Sequence, residues 1–342
     1  MSMNRLLAGA ATCAVLCGTT IAAGAQDVTL RLSNTFPENH FLWQNGGKVF
    51  VDAVDEATSG AVTVEAFHAG QLGKDQLGLL DSGLAQMAVI AAPYAPEKLP
   101  LTGVVELPGF ISGACEGADR VWPLVREGGA LDQHEYEPLG LRVLFIAVPP
   151  PYKVMTGSTA VTGLADLAGL KLRTVGAAQG DTVVAVGATP IQVQASEFYD
   201  SVSRGTVDGA IYAYVGMPPY SLGEVMHHAV DNVFAGSLAV LYAIDADTWA
   251  GLTPEIQTAM TEAAATAQRA VCEYQDADEA AIRERYVAEK GLTVVSFPES
   301  DTAAWNERMA GVAAAWAKRL DENGRPGTEI LEAYRTSGAS GD

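Results

Sequence analysis

Residues 170–212 read LKLRTVGAAQGDTVVAVGATPIQVQASEFYDSVSRGTVDGAIY, and this stretch decides the fold class. Short apolar or alternating runs are typical of strands, and the segments between them end at Gly187 and Gly205, as helices often do. The predicted elements are strands at 170–174, 190–193 and 207–212 and helices at 182–186 and 197–204. Strands that alternate with helices in this way predict an α/β fold.

The same alternation runs through the first half of the chain. It predicts strands at 27–33, 61–67, 87–91 and 141–148 and helices at 39–58 and 74–82. Pro149, Pro150 and Pro151 then end the last strand, because proline cannot donate to a sheet. This stiff run suits a crossing between two lobes.

A long helix is predicted at 253–290. Thr253-Pro254-Glu255 combines a hydroxyl cap, a proline at the first helical position and an acid in the first turn, and Gly291 follows the end. A helix of this length is more than one lobe can use, so we expect it to run across both lobes. A last helix is expected from 302 to 322, with a frayed tail from Thr336.

These elements predict two α/β lobes that share no detectable sequence repeat. Lobe I is assigned residues 26–150 plus 239–278. Lobe II is assigned residues 151–238 plus 279–342.

The first 25 residues differ in composition from the rest. Arg5 precedes a mostly small or apolar segment, and Ala23-Gly24-Ala25 has the form of a cleavage site. Residues 1–25 are therefore predicted to be a cleaved secretory signal peptide, with a soluble mature protein that begins near Gln26 outside the cytoplasm.

The charge of the chain bears on its partners. The 342 residues carry 21 basic and 41 acidic side chains, a net charge of -20. Such a chain repels phosphate backbones, so a nucleic-acid partner is excluded. Hydrophobic residues make up 49% of the chain, which excludes a disordered protein.

Few residues suggest a metal, a cofactor or catalysis. Cys115 and Cys272 remain after signal cleavage, and in an oxidising compartment they either form a disulfide or stay as two buried thiols. The sequence contains no metal-ligand spacing, phosphate-binding loop or nucleophile motif, so we expect no metal and no cofactor. An enzyme stays open only as a less favoured alternative.

Arg173 is the most informative charged residue. Leu170 and Leu172 share one face of a predicted strand, so Lys171 and Arg173 share the other, and Arg173 lies near the carboxyl end. Ligands of open α/β sheets bind at that end. A guanidinium there can hold a carboxylate through two hydrogen bonds, although a surface arginine paired with an acid would have the same pattern.

Several motifs in a fixed order resemble a known family. The segments are LAGLKLR at 167–173, VGATP at 186–190, EFYDSVSRGTVDG at 197–209, Glu38-Asn39-His40, GQLG at 70–73, Trp249 and LTPE at 252–255. Together they resemble the DctP-type solute-binding proteins of tripartite ATP-independent periplasmic (TRAP) transporters over nearly all of the mature chain.

The resemblance implies a two-lobed periplasmic binding protein fold. It further implies a receptor that closes over a small organic acid and delivers it to the membrane subunits of a TRAP transporter. In the family, an arginine in the position of Arg173 pairs with the ligand carboxylate, and a second basic residue lies where this chain has Lys153. Lys153 is thus a candidate ligand contact, with a hinge or surface role as the alternative.

One departure from the family concerns the ligand. Family members often carry an amide where this chain has Tyr212. A tyrosine can hydrogen-bond a ligand or stack on a flat one, so an apolar, aromatic or hydroxylated monocarboxylate competes with the usual dicarboxylate. Tyr214, Trp43, Tyr94 and Tyr152 are further candidates for the walls of the site, with ordinary core packing as the alternative.

Two other functions fit the same sequence pattern. One is a sensory receptor that presents its closed form to a membrane kinase. The other is a secreted enzyme on the same scaffold.

Overall fold

A computed structural model of the chain describes residues 28–338. The predicted signal peptide, residues 1–25, lies outside the described residues. Within residues 28–338, none of the helices combines the length and apolar character needed to cross a membrane. The same range contains no cluster of His, Cys, Asp and Glu side chains suited to a metal ion.

The strands and helices alternate along most of the chain. The strands are β1 (Val28–Asn34), β2 (Val62–Phe67), β3 (Met87–Ala91), β4 (Leu141–Ala147), β5 (Lys153–Thr156), β6 (Lys171–Thr174), β7 (Thr189–Gln192), β8 (Gly209–Tyr212), β9 (His228–Val230), β10 (Val240–Asp245) and β11 (Thr293–Val295). The helices are α1 (Lys48–Thr58), α2 (Gln76–Asp81), α3 (Ala114–Val125), α4 (Ala177–Ala185), α5 (Phe198–Ser203), α6 (Ala246–Ala250), α7 (Pro254–Lys290), α8 (Glu299–Glu322) and α9 (Gly327–Ser337). This arrangement confirms the predicted α/β class.

The strands form two sheets. The first has the order β2-β1-β3-β10-β4 and the second the order β11-β9-β5-β8-β6-β7. Both are mixed, since β10 is antiparallel to β3 and β4, and β5 is antiparallel to β8 and β9. The chain passes from the first sheet to the second after β4 and returns before β10, so each sheet is the centre of one lobe.

The long helix α7 links the two lobes, as its pattern predicts. It begins at Pro254, where the Thr253 hydroxyl accepts a hydrogen bond from the Ile256 N–H, and Gly291 follows its end in the left-handed conformation. α7 packs against α1, α3 and β4 in lobe I and against a 3₁₀ turn at Tyr214–Gly216 in lobe II. It therefore spans both lobes.

Cys115 of α3 and Cys272 of α7 are joined in a disulfide, with their Cα atoms 4.7 Å apart. Of the two alternatives for these cysteines, the structure has the disulfide. Asp276, one turn further along α7, accepts hydrogen bonds from the backbone N–H groups of Ala114 and Cys115. The first turn of α3 is thus held to α7 by a covalent bond and by a carboxylate cap.

Some elements differ from the expectations. α4 begins at Ala177 instead of 182, because its first turn packs against Glu106, which accepts a hydrogen bond from the Gln179 N–H. The tail expected to fray from Thr336 is helical up to Ser337, because α9 buries Tyr334 next to Phe110. The final residues, 339–342, lie outside the described range.

The lobe boundaries remain a prediction, with one adjustment. α8 packs against α4 of lobe II, and α9 packs both against α8 and against α3 of lobe I. α9 therefore adjoins both lobes, whereas the sequence-based division assigns all of 279–342 to lobe II.

Candidate ligand-binding cavity

A cavity lies between the two sheets, at the carboxyl ends of β3, β6 and β8. The side chains and backbone on its lobe I side belong to Phe36, His40, Phe41, Leu42, Ala91, Tyr94, Pro149 and Val240. Those on its lobe II side belong to Tyr152, Arg173, Val175, Ala195, Tyr212, Ala213, Val215, Gly216 and Leu238. This is the edge at which open α/β sheets bind ligands.

The cavity is small and is closed across the lobes. Its volume is about 40 Å³, which is room for a few water molecules. The backbone N–H of Ala195 in lobe II donates a hydrogen bond of 3.0 Å to the hydroxyl oxygen of Tyr94 in lobe I. A ligand with a ring needs the two walls to move apart before it can enter.

Arg173 is held rigidly at the lobe II wall. Its Nε donates a hydrogen bond of 2.8 Å to the Val193 carbonyl, and its guanidinium carbon lies 4.8 Å from the ring centroid of Phe198 and 5.6 Å from that of Tyr212. The residue is only 1% exposed. Its Nη1 is buried without a hydrogen-bond partner among the described residues, so this part of the guanidinium group is available to an anion.

Two tyrosines form the rest of the lobe II wall. The rings of Tyr152 and Tyr212 lie with their centroids 5.5 Å apart, and both side chains are buried. Tyr212 donates a hydrogen bond of 3.3 Å from its hydroxyl to the Gly216 carbonyl. Burial raises the pKa of both hydroxyls, so each remains a neutral hydrogen-bonding group at physiological pH.

The lobe I wall contains a histidine that sequence reasoning did not single out as a site residue. His40 is stacked between Phe36 and Phe41, with ring centroids 4.6 and 4.5 Å away. Burial lowers its pKa to about 3, so the imidazole is neutral. Its Nδ1 accepts a hydrogen bond from the Leu42 N–H, which leaves the proton on Nε2. Its place six residues after the end of β1, between two phenylalanines at 36 and 41, was the available signal.

Lys153 does not line this cavity. Its ammonium lies 2.9 Å from a carboxylate oxygen of Glu279 on α7, and the two side chains are 11% and 14% exposed. Glu279 also accepts a hydrogen bond from the Val215 N–H. Lys153 therefore ties β5 to the long helix, as in the hinge alternative, and the expected pair of cations around one ligand does not form in this structure.

Tyr214 and Trp43 also lie away from the cavity. The Tyr214 hydroxyl donates to Asp231, which pairs with Arg283 of α7, so Tyr214 is part of the same contact between lobe II and the long helix. Trp43 is buried in a π-helical segment that precedes α1, with its ring edge-on to His68. Its neighbour Phe41 lines the cavity instead. Of the seven residues predicted for the ligand site, the cavity thus contains Arg173, Tyr212, Tyr94 and Tyr152.

Comparison with known proteins gives consistent matches. The family model of the DctP proteins, bacterial extracellular solute-binding proteins of family 7, matches residues 32–319. A solute-binding protein of Roseobacter denitrificans is 28% identical over 91% of this chain and 92% of its own length. The C4-dicarboxylate-binding periplasmic protein DctP of Rhodobacter capsulatus is 27% identical over 94% of both chains.

Solved structures have the same fold at low sequence identity. A TRAP solute-binding protein of Rhodoferax ferrireducens, in complex with benzoate, is similar with a TM-score of 0.82 and 23% identity, covering 91% of this chain and 98% of that one. One from Bordetella bronchiseptica, with bound mandelate, has a TM-score of 0.79 and 24% identity, covering 92% of this chain and 100% of that one. At this identity the similarity establishes the two-lobed fold.

Proposed function

The chain belongs to the DctP family, the bacterial extracellular solute-binding proteins of family 7, and we propose that it captures a small organic carboxylate at Arg173 and delivers it to the membrane subunits of a TRAP transporter. In this proposal it acts in the periplasm after removal of residues 1–25. Because the family and its solved neighbours are solute-binding proteins, the proposal assigns binding without turnover.

One observation carries the proposal. The Arg173 guanidinium is buried, its Nη1 has no partner among the described residues, and no acid lines the cavity beside it. An unpaired buried charge is costly, and a carboxylate supplies both the opposite charge and the missing acceptor. The cavity therefore has its lowest free energy when an anion occupies it.

The ligands of similar proteins support the same chemical class. The solved neighbours include proteins bound to benzoate, 3-hydroxybenzoate, mandelate, pyroglutamate and galacturonate, all of which are carboxylic acids. Delivery to a transporter is proposed from the family, since the same neighbours are described as TRAP solute-binding proteins.

Binding in this proposal is coupled to lobe closure. Arg173 lies on lobe II and His40, Phe36 and Phe41 lie on lobe I, so a ligand held by Arg173 meets the opposite wall only when the lobes come together. The ligand favours the closed form because that form alone lets it contact both walls. The membrane subunits would then recognise the closed form.

A thermal-shift screen followed by calorimetry tests the proposal. Residues 26–342 are screened against small carboxylates, amines and neutral compounds, and the best acid is titrated into the wild type and into Arg173→Gln. We expect the variant to lose about 2–5 kcal/mol of binding, at least 30-fold in affinity, because its neutral amide cannot replace the charged donor.

Arg204→Gln is the matched control, since Arg204 is exposed on lobe II and pairs with Asp200 far from the cavity lining. It should bind the acid like the wild type. If Arg173→Gln bound the acid as tightly as the wild type, Arg173 would not be a ligand contact. Stabilisation by amines or neutral compounds alone would contradict the proposed function.

A further inference from the structure

The charge of the cavity limits the number of carboxylates that a ligand can carry. Arg173 is the one charged side chain among the lining residues, and His40, the other basic residue there, is kept neutral by burial. One carboxylate balances the charge of Arg173. A second carboxylate would be buried without an opposite charge, which is strongly unfavourable.

No other cation in the described residues is placed to balance a second carboxylate inside the cavity. Lys153 is neutralised by Glu279 and lies outside the lining. Lys74 lines an adjoining cleft that shares Phe36, Tyr94 and Ala195 with the cavity, but its side chain is exposed to solvent. A dicarboxylate would therefore have to reach out of the cavity to find a second cation.

The walls of the cavity favour a flat apolar ligand body. Phe36, His40 and Phe41 form one aromatic wall on lobe I, and Tyr152 and Tyr212 form the other on lobe II. Aromatic rings bind another ring well, face to face with an offset or edge to face.

The hydrogen bonds of the tyrosines disfavour a ligand rich in hydroxyl groups. The Tyr212 hydroxyl already donates to the Gly216 carbonyl, and the Tyr94 hydroxyl already accepts from the Ala195 N–H. The Tyr152 hydroxyl and the His40 Nε2 proton are the remaining side-chain polar groups of these walls, so most hydroxyls of a sugar acid would be left unpaired. One or two polar substituents can be accommodated, for example at the His40 Nε2 proton.

We propose that the ligand is a one-ring aromatic acid with a single carboxylate, bound with the carboxylate at Arg173 and the ring between the two aromatic walls, which lie further apart around the ring than in this structure. This inference rests on the proposed function, and it names the substrate class of the same site. In this proposal the site binds C4-dicarboxylates and sugar acids more weakly than the aromatic acid.

The test is a calorimetric ranking of chemically matched acids on the wild-type protein. Benzoate, 3-hydroxybenzoate and phenylacetate are compared with cyclohexanecarboxylate, which keeps one carboxylate but has no aromatic ring. Succinate, malate and galacturonate complete the set. We expect at least one aromatic acid to bind tenfold or more tightly than every other compound.

A variant of the lobe II wall tests the contact itself. Tyr212→Asn removes the ring and introduces an amide, and we expect it to weaken binding of the best aromatic acid at least tenfold and to reduce its advantage over succinate. The control is Tyr199→Asn, the same change at a partly buried tyrosine that bonds to Glu224 outside the cavity. It should leave the ranking unchanged.

The outcomes separate this inference from the proposed function. Tighter binding of succinate, malate, galacturonate or cyclohexanecarboxylate would overturn the aromatic class and leave a carboxylate receptor. Binding of none of the acids, with stabilisation by neutral compounds or amines, would overturn both. The wild-type ranking decides whether the ligand is an aromatic acid even if Tyr212→Asn does not fold. Unchanged affinity for the aromatic acid in a folded Tyr212→Asn protein would show that the Tyr212 ring does not contact the ligand.

Discussion

Arg173 and Lys153 both belong to the second sheet, yet their surroundings differ completely. Arg173 is stacked on Phe198 and has no acid beside it, whereas Lys153 is paired with Glu279. A buried charge that is already paired has little to gain from a ligand. The two residues therefore differ in their partners, and this difference separates the proposed binding residue, Arg173, from Lys153, which holds lobe II to α7.

Removing one partner of the Lys153–Glu279 pair should destabilise the protein. We expect Lys153→Met and Glu279→Gln each to lower the free energy of unfolding by ~3 kcal/mol, since each leaves a largely buried charge unpaired. The double variant should recover most of this loss. Urea denaturation of the ligand-free single and double variants measures the coupling between the two residues.

The same variants discriminate between the two roles of Lys153. If it acts only in the pair, the double variant binds the best acid within about threefold of the wild-type affinity, well under the ~1.4 kcal/mol of a tenfold change. A Lys153→Met protein of normal stability that has lost its affinity for the acid would instead make Lys153 a ligand contact.

At this scale, sequence reasoning predicted the position of the proposed ligand anchor, Arg173, but not the residues around it. The alternation of leucine and charged residues in 170–173 was enough to place Arg173 near the carboxyl end of a strand. The partner of Lys153 was not predictable in the same way, because Glu279 is 126 positions away along the chain. His40 was missed because its sequence pattern does not show that it is buried, and it becomes stacked between Phe36 and Phe41 only in the folded segment before α1.

Among the elements, α4 has an unusual start. The carboxylate of Glu106 in lobe I accepts a hydrogen bond of 3.2 Å from the Gln179 N–H in the first turn of α4 in lobe II. The approach is close, since a Cβ atom on Gly176 would lie 2.1 Å from the Glu106 carboxylate. An acid at a helix N-terminus is favourable, but here it is fully buried, and the burial raises the pKa of Glu106 to about 8.

This pKa predicts a pH dependence of stability. The unfolded chain releases the Glu106 proton near pH 4.5, whereas the folded protein keeps it up to about pH 8. The contribution of this group is therefore complete below pH 4.5 and is lost as the pH rises through 8. Between these values the free energy of unfolding should fall by up to about 1.4 kcal/mol per pH unit from this group.

Glu106→Gln cannot titrate at this position. Its free energy of unfolding should therefore fall less steeply with pH than that of the wild type, by about the 1.4 kcal/mol per pH unit that one titrating group contributes. Urea denaturation at several values between pH 5 and 8 measures it. Glu135, whose pKa burial raises to about 7, is present in both proteins, so the difference between them isolates Glu106. Glu289→Gln, at an exposed position on α7, should keep the wild-type slope. Equal slopes in Glu106→Gln and the wild type would show that Glu106 is ionised in the folded protein.

Elements were predictable where the signal was local. β3 was predicted with its observed bounds because it is a wholly apolar run buried on both faces, and α7 because its cap, proline and final glycine are adjacent to it in sequence. α3 was missed, since its first turn is capped by Asp276 of α7 and not by a neighbouring side chain. β10 was missed because it joins a sheet whose other strands all precede it by long stretches of chain.

At the scale of the molecule, the two lobes meet around Arg173. Sequence patterns predicted two α/β lobes and a helix that links them, but not the mixed sheets, whose antiparallel strands β5 and β10 are each the first strand after the chain crosses from one lobe to the other. The cavity itself is formed by residues from both lobes, which are far apart in sequence. Its closure depends on a balance between contact of the walls and the cost of burying one guanidinium.

That balance predicts how the shape of the protein responds to its ligand and to one substitution. Without an anion, closure buries the unpaired Arg173 charge and is disfavoured, so the free protein should be more open than the structure described here. A bound acid offsets this cost, and small-angle X-ray scattering should record a smaller radius of gyration at saturating ligand.

Arg173→Met removes the charge but keeps an apolar stem of similar length, so this variant should be compact without any ligand and should not respond to the acid. Arg204→Met, which removes an exposed arginine of the same lobe, should respond like the wild type. A wild-type protein whose radius of gyration is unchanged by a tightly bound acid, or an Arg173→Met protein as expanded as the free wild type, would contradict the role of this guanidinium in holding the lobes apart.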